Sequence, residues 1–107
     1  MMRRLVLALL LLAAEAAPVL AACYDAIGCT DRKRFRTSEV RRSDCEKLWT
    51  MRNAILAENG YCFEDARAAK TFSNDGCDVK DITRLPLNQN ERANFRTITK
   101  VESEKGC

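Results

Sequence analysis

Histidine is absent from this sequence, and its absence excludes several kinds of functional site. The chain cannot form a Ser-His-Asp triad, a Cys-His catalytic pair, a histidine-containing metal site or a histidine pH switch. Aromatic residues make up only 7% of the chain, too few for the stacking platforms of single-strand nucleic-acid binders. The longest apolar run, residues 5–14, has ten residues, whereas a membrane-spanning helix needs about 20.

Neither sign of charge dominates the chain. It holds 18 Lys and Arg against 15 Asp and Glu, a formal net charge of +3, which argues against nucleic acid as a partner. With histidine absent and every cysteine expected to form a disulfide, only carboxylates, Lys, Ser and Tyr remain for catalysis. An acidic group of Glu58, Glu64 and Asp65 is explained by exposure and by the dipole of a helix N-terminus. The sequence therefore predicts a protein that is not an enzyme and holds no cofactor or metal.

The first residues have the organisation of a secretory signal peptide. Two arginines precede the apolar run, and Val19 and Ala21 occupy positions −3 and −1 of a cleavage site. We therefore assign residues 1–22 to the signal peptide, with cleavage near Ala21-Ala22, and predict a periplasmic or secreted protein. The remaining 85 or so residues form one small domain, of a size that often depends on disulfides for stability.

An alternative interpretation is a lipid anchor at Cys23. Residues 20–23 also match a bacterial lipobox, in which Cys23 would carry the lipid. However, eight residues that include Glu15 and Pro18 separate Cys23 from the apolar run. Lipidation would also leave an odd number of thiols in an oxidising compartment. We therefore favour the cleaved, unanchored form, and the intact mass of the mature protein would distinguish the two.

Six cysteines are present in this short chain: Cys23, Cys29, Cys45, Cys62, Cys77 and Cys107. They form no C-x-x-C pair, and without histidine the ligand spacing of a zinc site is absent. In an exported chain they predict three disulfides. Cys23 and Cys29 are close enough in sequence to close a small N-terminal loop.

The other four cysteines leave two possible pairings. Cys45 and Cys62 flank a predicted helix of about four turns, which holds them more than about 20 Å apart, so they cannot pair with each other. The first possibility is Cys45–Cys77 with Cys62–Cys107, and the second is Cys45–Cys107 with Cys62–Cys77. If the three helices run up, down and up, Cys77 returns to the Cys45 end of the domain and Cys107 lies at the Cys62 end. This arrangement favours the first possibility.

Three segments have the spacing of helices. The first is residues 45–59, with Ser43 or Asp44 as its N-cap and Gly60 at its end. One stripe of this helix contains Cys45, Leu48, Trp49, Arg52, Ile55 and Leu56. Because Arg52 lies within an otherwise mostly apolar stripe, we expect its guanidinium to form an ion pair with Glu102 or Glu91.

The second predicted helix, residues 64–72, is short and ends at the turn residues 73–76. The third covers residues 89–104, where Asn88 and Glu91 have the spacing of a capping box and Gly106 ends the helix. The predicted fold is therefore a small all-α domain of three helices held together by disulfides. An irregular N-terminal arm, residues 23–42, precedes it.

The predicted arm is rich in basic residues. Residues 30–42 contain six basic and two acidic side chains. Within them, Arg32, Lys33, Arg34 and Arg36 are the candidate binding residues for an anionic wall polymer or an acidic partner. The alternative interpretation is a solvated charged face or a short helix without a ligand.

Several short motifs follow one another after residue 43. They are Leu48-Trp49, Arg52-Asn53-x-Ile55, Ala57-x-x-Gly60-Tyr61-x-Phe63, Pro86-Leu87-Asn88, Arg92-x-Asn94, Ile98 and Glu102. In this order, residues 43–107 resemble the YARHG domain, a bacterial extracellular module. The cysteines near Gly60 and Gly76 resemble those of a cysteine-rich version found in small exported proteins of proteobacteria. The motif that gives the family its name contains Tyr, Arg and His, and at these three positions this chain has Leu56, Glu58 and Asn59.

The resemblance implies a domain whose molecular function is not established. The matched residues Trp49, Arg52, Asn53, Gly60, Tyr61 and Phe63 are expected to be mainly structural. We expect an exported, non-catalytic binding or adaptor module whose partner is peptidoglycan or a periplasmic protein. The alternative is a purely structural or stress-related periplasmic protein, or a lipid-anchored version of the same domain.

Overall fold

The computed structural model of the chain describes residues 22–107 and is mostly helical. In chain order it contains strands β1 (Cys23–Tyr24) and β2 (Gly28–Cys29), and helices α1 (Thr37–Val40), α2 (Cys45–Glu58), α3 (Ala66–Phe72) and α4 (Gln89–Lys105). A 3-10 helix, Ile82–Arg84, lies between α3 and α4. None of the helices in this part of the chain is long and apolar enough to cross a membrane. Residues 1–21 of the predicted signal peptide lie outside the described residues.

The three predicted helices are confirmed, and their caps explain where they begin and end. Asp44 caps α2 by accepting a hydrogen bond from the backbone N–H of Lys47 at 2.8 Å. At α4, both hydrogen bonds of the capping box between Asn88 and Glu91 are formed, and Gly106 ends the helix in the left-handed conformation. The second helix begins at Ala66, two residues later than predicted, since its N-cap is Asp65.

The N-terminal arm is only partly irregular: it contains two short strands and one short helix, and the other residues of 23–42 lie in turns and loops. β1 and β2 form an antiparallel hairpin closed by the predicted Cys23–Cys29 disulfide. One-turn helix α1 follows, so residues 22–107 contain four α-helices and a small sheet. Ile27, Phe35 and Val40 are buried in the main core. Because these apolar residues are spaced irregularly among charged ones, they have no periodicity that would indicate burial from the sequence.

Two apolar clusters form the core. The larger lies between the N-terminal segment, α2 and α4 and contains Ile27, Phe35, Val40, Leu48, Met51, Ile55, Ile98 and Val101. The smaller lies between α2, α3 and the segment that follows α3, and contains Leu56, Phe63, Ala68 and Leu85. Helix α2 therefore contributes to both clusters, and the N-terminal segment is part of the domain rather than an appendage.

The favoured pairing of the remaining cysteines was wrong. The disulfides are Cys45–Cys107 and Cys62–Cys77, which is the second of the two pairings. The favoured pairing assumed that the third helix runs parallel to the first. In the structure α4 runs antiparallel to α2, so that it ends beside the beginning of α2, where Cys107 meets Cys45.

The path between α3 and α4 explains this direction. The chain returns to the end of α2, where Tyr61 and Val79 form a parallel bridge and the N–H of Cys62 donates to the carbonyl of Val79 at 2.8 Å. Gly60 adopts φ +85°, a left-handed conformation that residues with a Cβ rarely adopt, and this conformation allows the approach. Helix α4 therefore begins at the end of α2.

Candidate functional site

The basic side chains predicted to bind a ligand lie on a loop, residues 30–36, that we call the basic loop. A single buried residue of α4, Asn94, holds this loop in place. Its side-chain oxygen accepts a hydrogen bond from the N–H of Phe35 at 2.7 Å, and its side-chain nitrogen donates to the carbonyls of Thr30 and Lys33 at 2.9 and 2.8 Å. The backbone of the basic loop is therefore fixed against α4.

Two further amides extend this attachment toward the beginning of α4. Asn88 and Asn90 both donate to the carbonyl of Asp31, at 3.0 and 3.3 Å. Three asparagines within seven residues of sequence thus bind backbone atoms of the same loop. The exposed side chains of the loop project from a rigid base rather than from a free arm.

A groove of about 680 Å³ lies between the basic loop and α4. We call it the arginine groove, and its lining residues are Arg34, Leu87, Asn88, Gln89, Arg92 and Arg96. All three of its arginines are exposed. The guanidinium of Arg92 also donates to the carbonyl of Leu87 at 3.1 Å, which orients it. Within residues 22–107 no acidic side chain forms an ion pair with any of these arginines.

The structure separates the four predicted binding residues. Of these four residues, only Arg34 lines the arginine groove. The side chain of Arg32 is 80% exposed and lies 3.9 Å from the carboxylate of Asp31. The methylene groups of Lys33 lie against Gly28, whose φ of +111° and close contact exclude a larger residue. Arg36 is exposed at the N-cap of α1.

Arg92 and Arg96 belong to the groove, although they are not among the binding residues predicted from the sequence. Their spacing of four residues places both on one face of the predicted third helix. That signal was available from the sequence. The sequence does not show that the basic loop faces these two arginines, because the contact between the loop and α4 depends on the tertiary hydrogen bonds of Asn94.

Arg52, the polar residue of the helical stripe, connects α2 to α4. Its Nε donates to Oε1 of Glu102 at 2.7 Å, and the two side chains are 27% and 14% exposed. This confirms an ion pair with one of the two predicted partners. Glu91, the other predicted partner, instead accepts a hydrogen bond from the side chain of Asn59 at 2.6 Å. Both contacts join the same two helices.

The aromatic motif residues pack together at one end of the domain. Phe72 lies between Trp49 and Phe63, with ring centroids 5.9 and 5.8 Å away. Tyr61 meets Phe63 edge to face at 5.2 Å. The guanidinium of Arg67 covers the Trp49 ring at 3.8 Å from its centroid, an arrangement typical of a cation–π contact. These rings therefore contribute packing to the smaller core cluster.

The two remaining motif residues have local roles. Asn53 is buried, and its side chain donates to the carbonyl of Trp49 at 2.9 Å, one turn earlier in α2. Gly60 permits the approach of Val79 described above.

A second cavity, of about 420 Å³, has Glu58 and Ala22 among its lining residues. One carboxylate oxygen of Glu58 accepts a hydrogen bond from the N–H of Ala22, and the other accepts one from the Thr30 hydroxyl at 3.0 Å. Burial raises the pKa of Glu58 above its ordinary value, although these hydrogen bonds act in the opposite direction. Burial, and secondly the charge of Glu58, also raise the pKa of Tyr24.

Most of the chain matches one known protein family. No match to this chain was found among curated proteins or among solved structures. The family model described as the YARHG domain matches residues 25–103, which include the basic loop, the arginine groove and the motif residues. The match begins in the N-terminal segment that is buried against α2 and α4. The chain belongs to the YARHG domain family.

Proposed function

We propose that this chain is an exported, non-catalytic module that binds an anionic polymer of the cell envelope, peptidoglycan, through the arginine groove. One observation carries the proposal: Arg34, Arg92 and Arg96 line one groove, and none has an acidic partner within residues 22–107. Like charges repel one another, so an unpaired group of this kind favours an anionic ligand.

The chemistry of the groove suits a polymer that bears carboxylates. A guanidinium can donate two parallel hydrogen bonds to one carboxylate, and the peptide stems of peptidoglycan carry such groups. Gln89 adds an exposed amide for neutral polar groups, and Leu87 adds a half-buried apolar side chain. Because Asn94 already fixes the basic loop, binding requires little further ordering of the protein.

The disulfides support the proposed location. All six cysteines are paired in the structure, a pattern typical of oxidising compartments outside the cytoplasm. The sulfur of Cys23 is bonded to that of Cys29, and a sulfur in a disulfide cannot also carry a lipid. This pairing favours the unanchored form over the lipoprotein alternative.

The test is co-sedimentation of the exported, oxidised protein with purified peptidoglycan sacculi at low and at high salt. We expect retention at low salt and its loss at high salt, since exposed charges are screened. The variant R34S/R92S/R96S should lose retention. The variant K70S/K80S/R84S removes the same charge from exposed positions outside the groove and should be retained like the wild type.

The two triple variants distinguish binding at the arginine groove from retention that is driven by net positive charge alone. Equal loss in both triple variants would show that net charge alone drives retention, and would contradict the groove. Retention that resists high salt, or no retention at either salt, would also contradict the proposal. A third variant, R32S/K33S/R36S, tests the remaining predicted residues, and we expect it to retain most of the binding.

A further inference from the structure

Glu58, at the end of α2, is half-buried and has an unfavourable electrostatic setting. The charges of Glu91 and Asp31 both oppose its ionisation, and Tyr24 lies close enough to be affected by its charge. No Lys or Arg among residues 22–107 forms an ion pair with Glu58. A half-buried carboxylate among other acids ordinarily has a cationic partner.

The structure places one particular nitrogen at this carboxylate. The backbone N–H of Ala22 donates to Oε1 of Glu58, while Thr30 donates its hydroxyl to Oε2 at 3.0 Å. The carbonyl of Ala22 in turn accepts the N–H of Thr30 at 3.0 Å. Ala22 is therefore held at its carbonyl by Thr30 of the same N-terminal segment and at its nitrogen by Glu58, 36 residues later in the sequence.

The predicted cleavage site, which was assigned from the sequence alone, also points to the backbone nitrogen of Ala22. With Val19 at −3 and Ala21 at −1, cleavage breaks the bond between Ala21 and Ala22. Ala22, the last residue of the 1–22 segment, then becomes the first residue of the mature chain. Hydrolysis adds one water across that bond: the hydroxyl goes to the carbonyl carbon of Ala21, and the hydrogen goes to the nitrogen of Ala22. The new α-amino group has an ordinary pKa of about 7.7–8.0, so it is protonated at neutral pH.

We infer that Glu58 is the binding site for the α-ammonium group of Ala22 that cleavage of the signal peptide creates. An ammonium group has three donors and a full positive charge, whereas the amide N–H of the uncleaved chain has one donor and no charge. Cleavage therefore supplies the cation that Glu58 lacks in the rest of the described structure. The inference goes beyond the proposed function and shares with it only the export step.

The test uses the full chain, expressed with its own leader in an exporting bacterial host. The exported, oxidised product is purified, and its first residue is identified by intact mass and N-terminal sequencing. We expect Ala22. The pKa of its α-amino group is then measured by an NMR titration. We expect a rise of at least about half a pKa unit above the ordinary range, or about a threefold larger protonation constant.

The matched variants are Glu58→Gln and Glu64→Gln. Glu64 is an exposed glutamate on the segment after Phe63 and lies outside this cavity. Glu58→Gln should return the α-amino pKa to its ordinary range, and Glu64→Gln should leave it raised. A first residue other than Ala22, or the same α-amino pKa in the wild type and in Glu58→Gln, would overturn the inference.

A second measurement covers the case in which Glu58→Gln fails to fold. Acetylation of the α-amino group of the wild-type protein removes its charge and keeps every side chain. We expect acetylation to raise the pKa of the Glu58 carboxyl group, measured by NMR, and an unchanged pKa would contradict the inference. Neither result depends on retention by peptidoglycan, so this inference and the proposed function can fail separately.

Discussion

Asn94 accepts a hydrogen bond from the backbone N–H of Phe35 at 2.7 Å, although 59 residues separate them in sequence. Both residues are buried. Together with the bonds of Asn94 to Thr30 and Lys33, this contact determines where Arg34 stands relative to α4. The geometry of the arginine groove therefore depends on a residue that does not line it.

Replacing Asn94 with Ala should destabilise the fold and displace the basic loop. The change leaves the buried backbone groups of Phe35 and Thr30, and the part-buried carbonyl of Lys33, without this partner. We therefore expect a loss of about 3 kcal/mol or more in the free energy of unfolding, measured in urea. Asn94→Asp should also destabilise, because a carboxylate cannot donate to the two carbonyls. The control, Asn90→Ala, removes one hydrogen bond of 3.3 Å and should cost less than about 1 kcal/mol. Similar losses at the two positions would contradict this role for Asn94.

The ion pair of Arg52 and Glu102 should contribute to stability. Arg52→Met keeps most of the apolar stem but leaves Glu102 unpaired at 14% exposure, so we expect a loss of about 1–3 kcal/mol in urea unfolding. The double variant R52M/E102M should recover part of that loss. As a control, Arg41→Met breaks an exposed pair with Glu104 and should change stability little. A neutral Arg52→Met would show that the pair does not hold α2 and α4 together.

The disulfide pairing can be tested by peptide mapping without reduction. We expect proteolytic fragments that link Cys45 to Cys107 and Cys62 to Cys77, with sequence separations of 62 and 15 residues. Because a longer loop restricts the unfolded chain more, removing the Cys45–Cys107 pair should cost about 4 kcal/mol and removing Cys62–Cys77 about 3 kcal/mol. A fragment linking Cys45 to Cys77 would contradict the structure.

The stability of the protein with a blocked α-amino group should depend on the ionisation of Glu58. With an amide nitrogen at Ala22, burial keeps the folded pKa of Glu58 raised. The protonated Glu58 carboxyl group therefore contributes fully to stability below the pKa of glutamate in the unfolded chain, about 4.3. This contribution is lost as the pH rises through the pKa of Glu58 in the folded protein. A free α-ammonium group favours the ionised carboxylate and should reduce this loss.

The measurement is a series of urea unfolding curves between pH 4 and pH 7 for the acetylated and the unblocked protein. We expect the acetylated protein to lose more stability over this range, and Glu58→Gln to abolish the difference between the two forms. The remaining acids around Glu58, Asp31 and Glu91, are present in every sample. Parallel pH profiles for the two wild-type forms would contradict the expected coupling.

The features that could be predicted from the sequence are those decided by nearby residues. The N-cap of α2, the capping box of α4 and the left-handed Gly106 follow from local side-chain chemistry. The ion pair of Arg52 was predictable because a charged residue in an otherwise mostly apolar stripe needs a partner. In each case a short stretch, or one exception to a pattern, contained the information.

The direction of α4 and the arginine groove depend on contacts between distant segments. The approach of Val79 to Tyr61 returns the chain to the end of α2 and determines which cysteines meet. No periodic pattern marks that contact. The groove likewise needs Arg34 to face Arg92 and Arg96, which follows from hydrogen bonds between α4 and a loop about sixty residues earlier.

The larger core cluster has a consequence for the order in which the chain can fold. Ile27 and Phe35 are made before Ile98 and Val101, which complete the buried cluster that all four share. Until α4 has emerged from the ribosome, the N-terminal segment therefore lacks the part of its covering surface that Ile98 and Val101 supply. Contacts of such long sequence separation slow the folding of a small domain. In the proposed export, the larger core cluster would therefore stay incomplete until the last helix of the chain has been made.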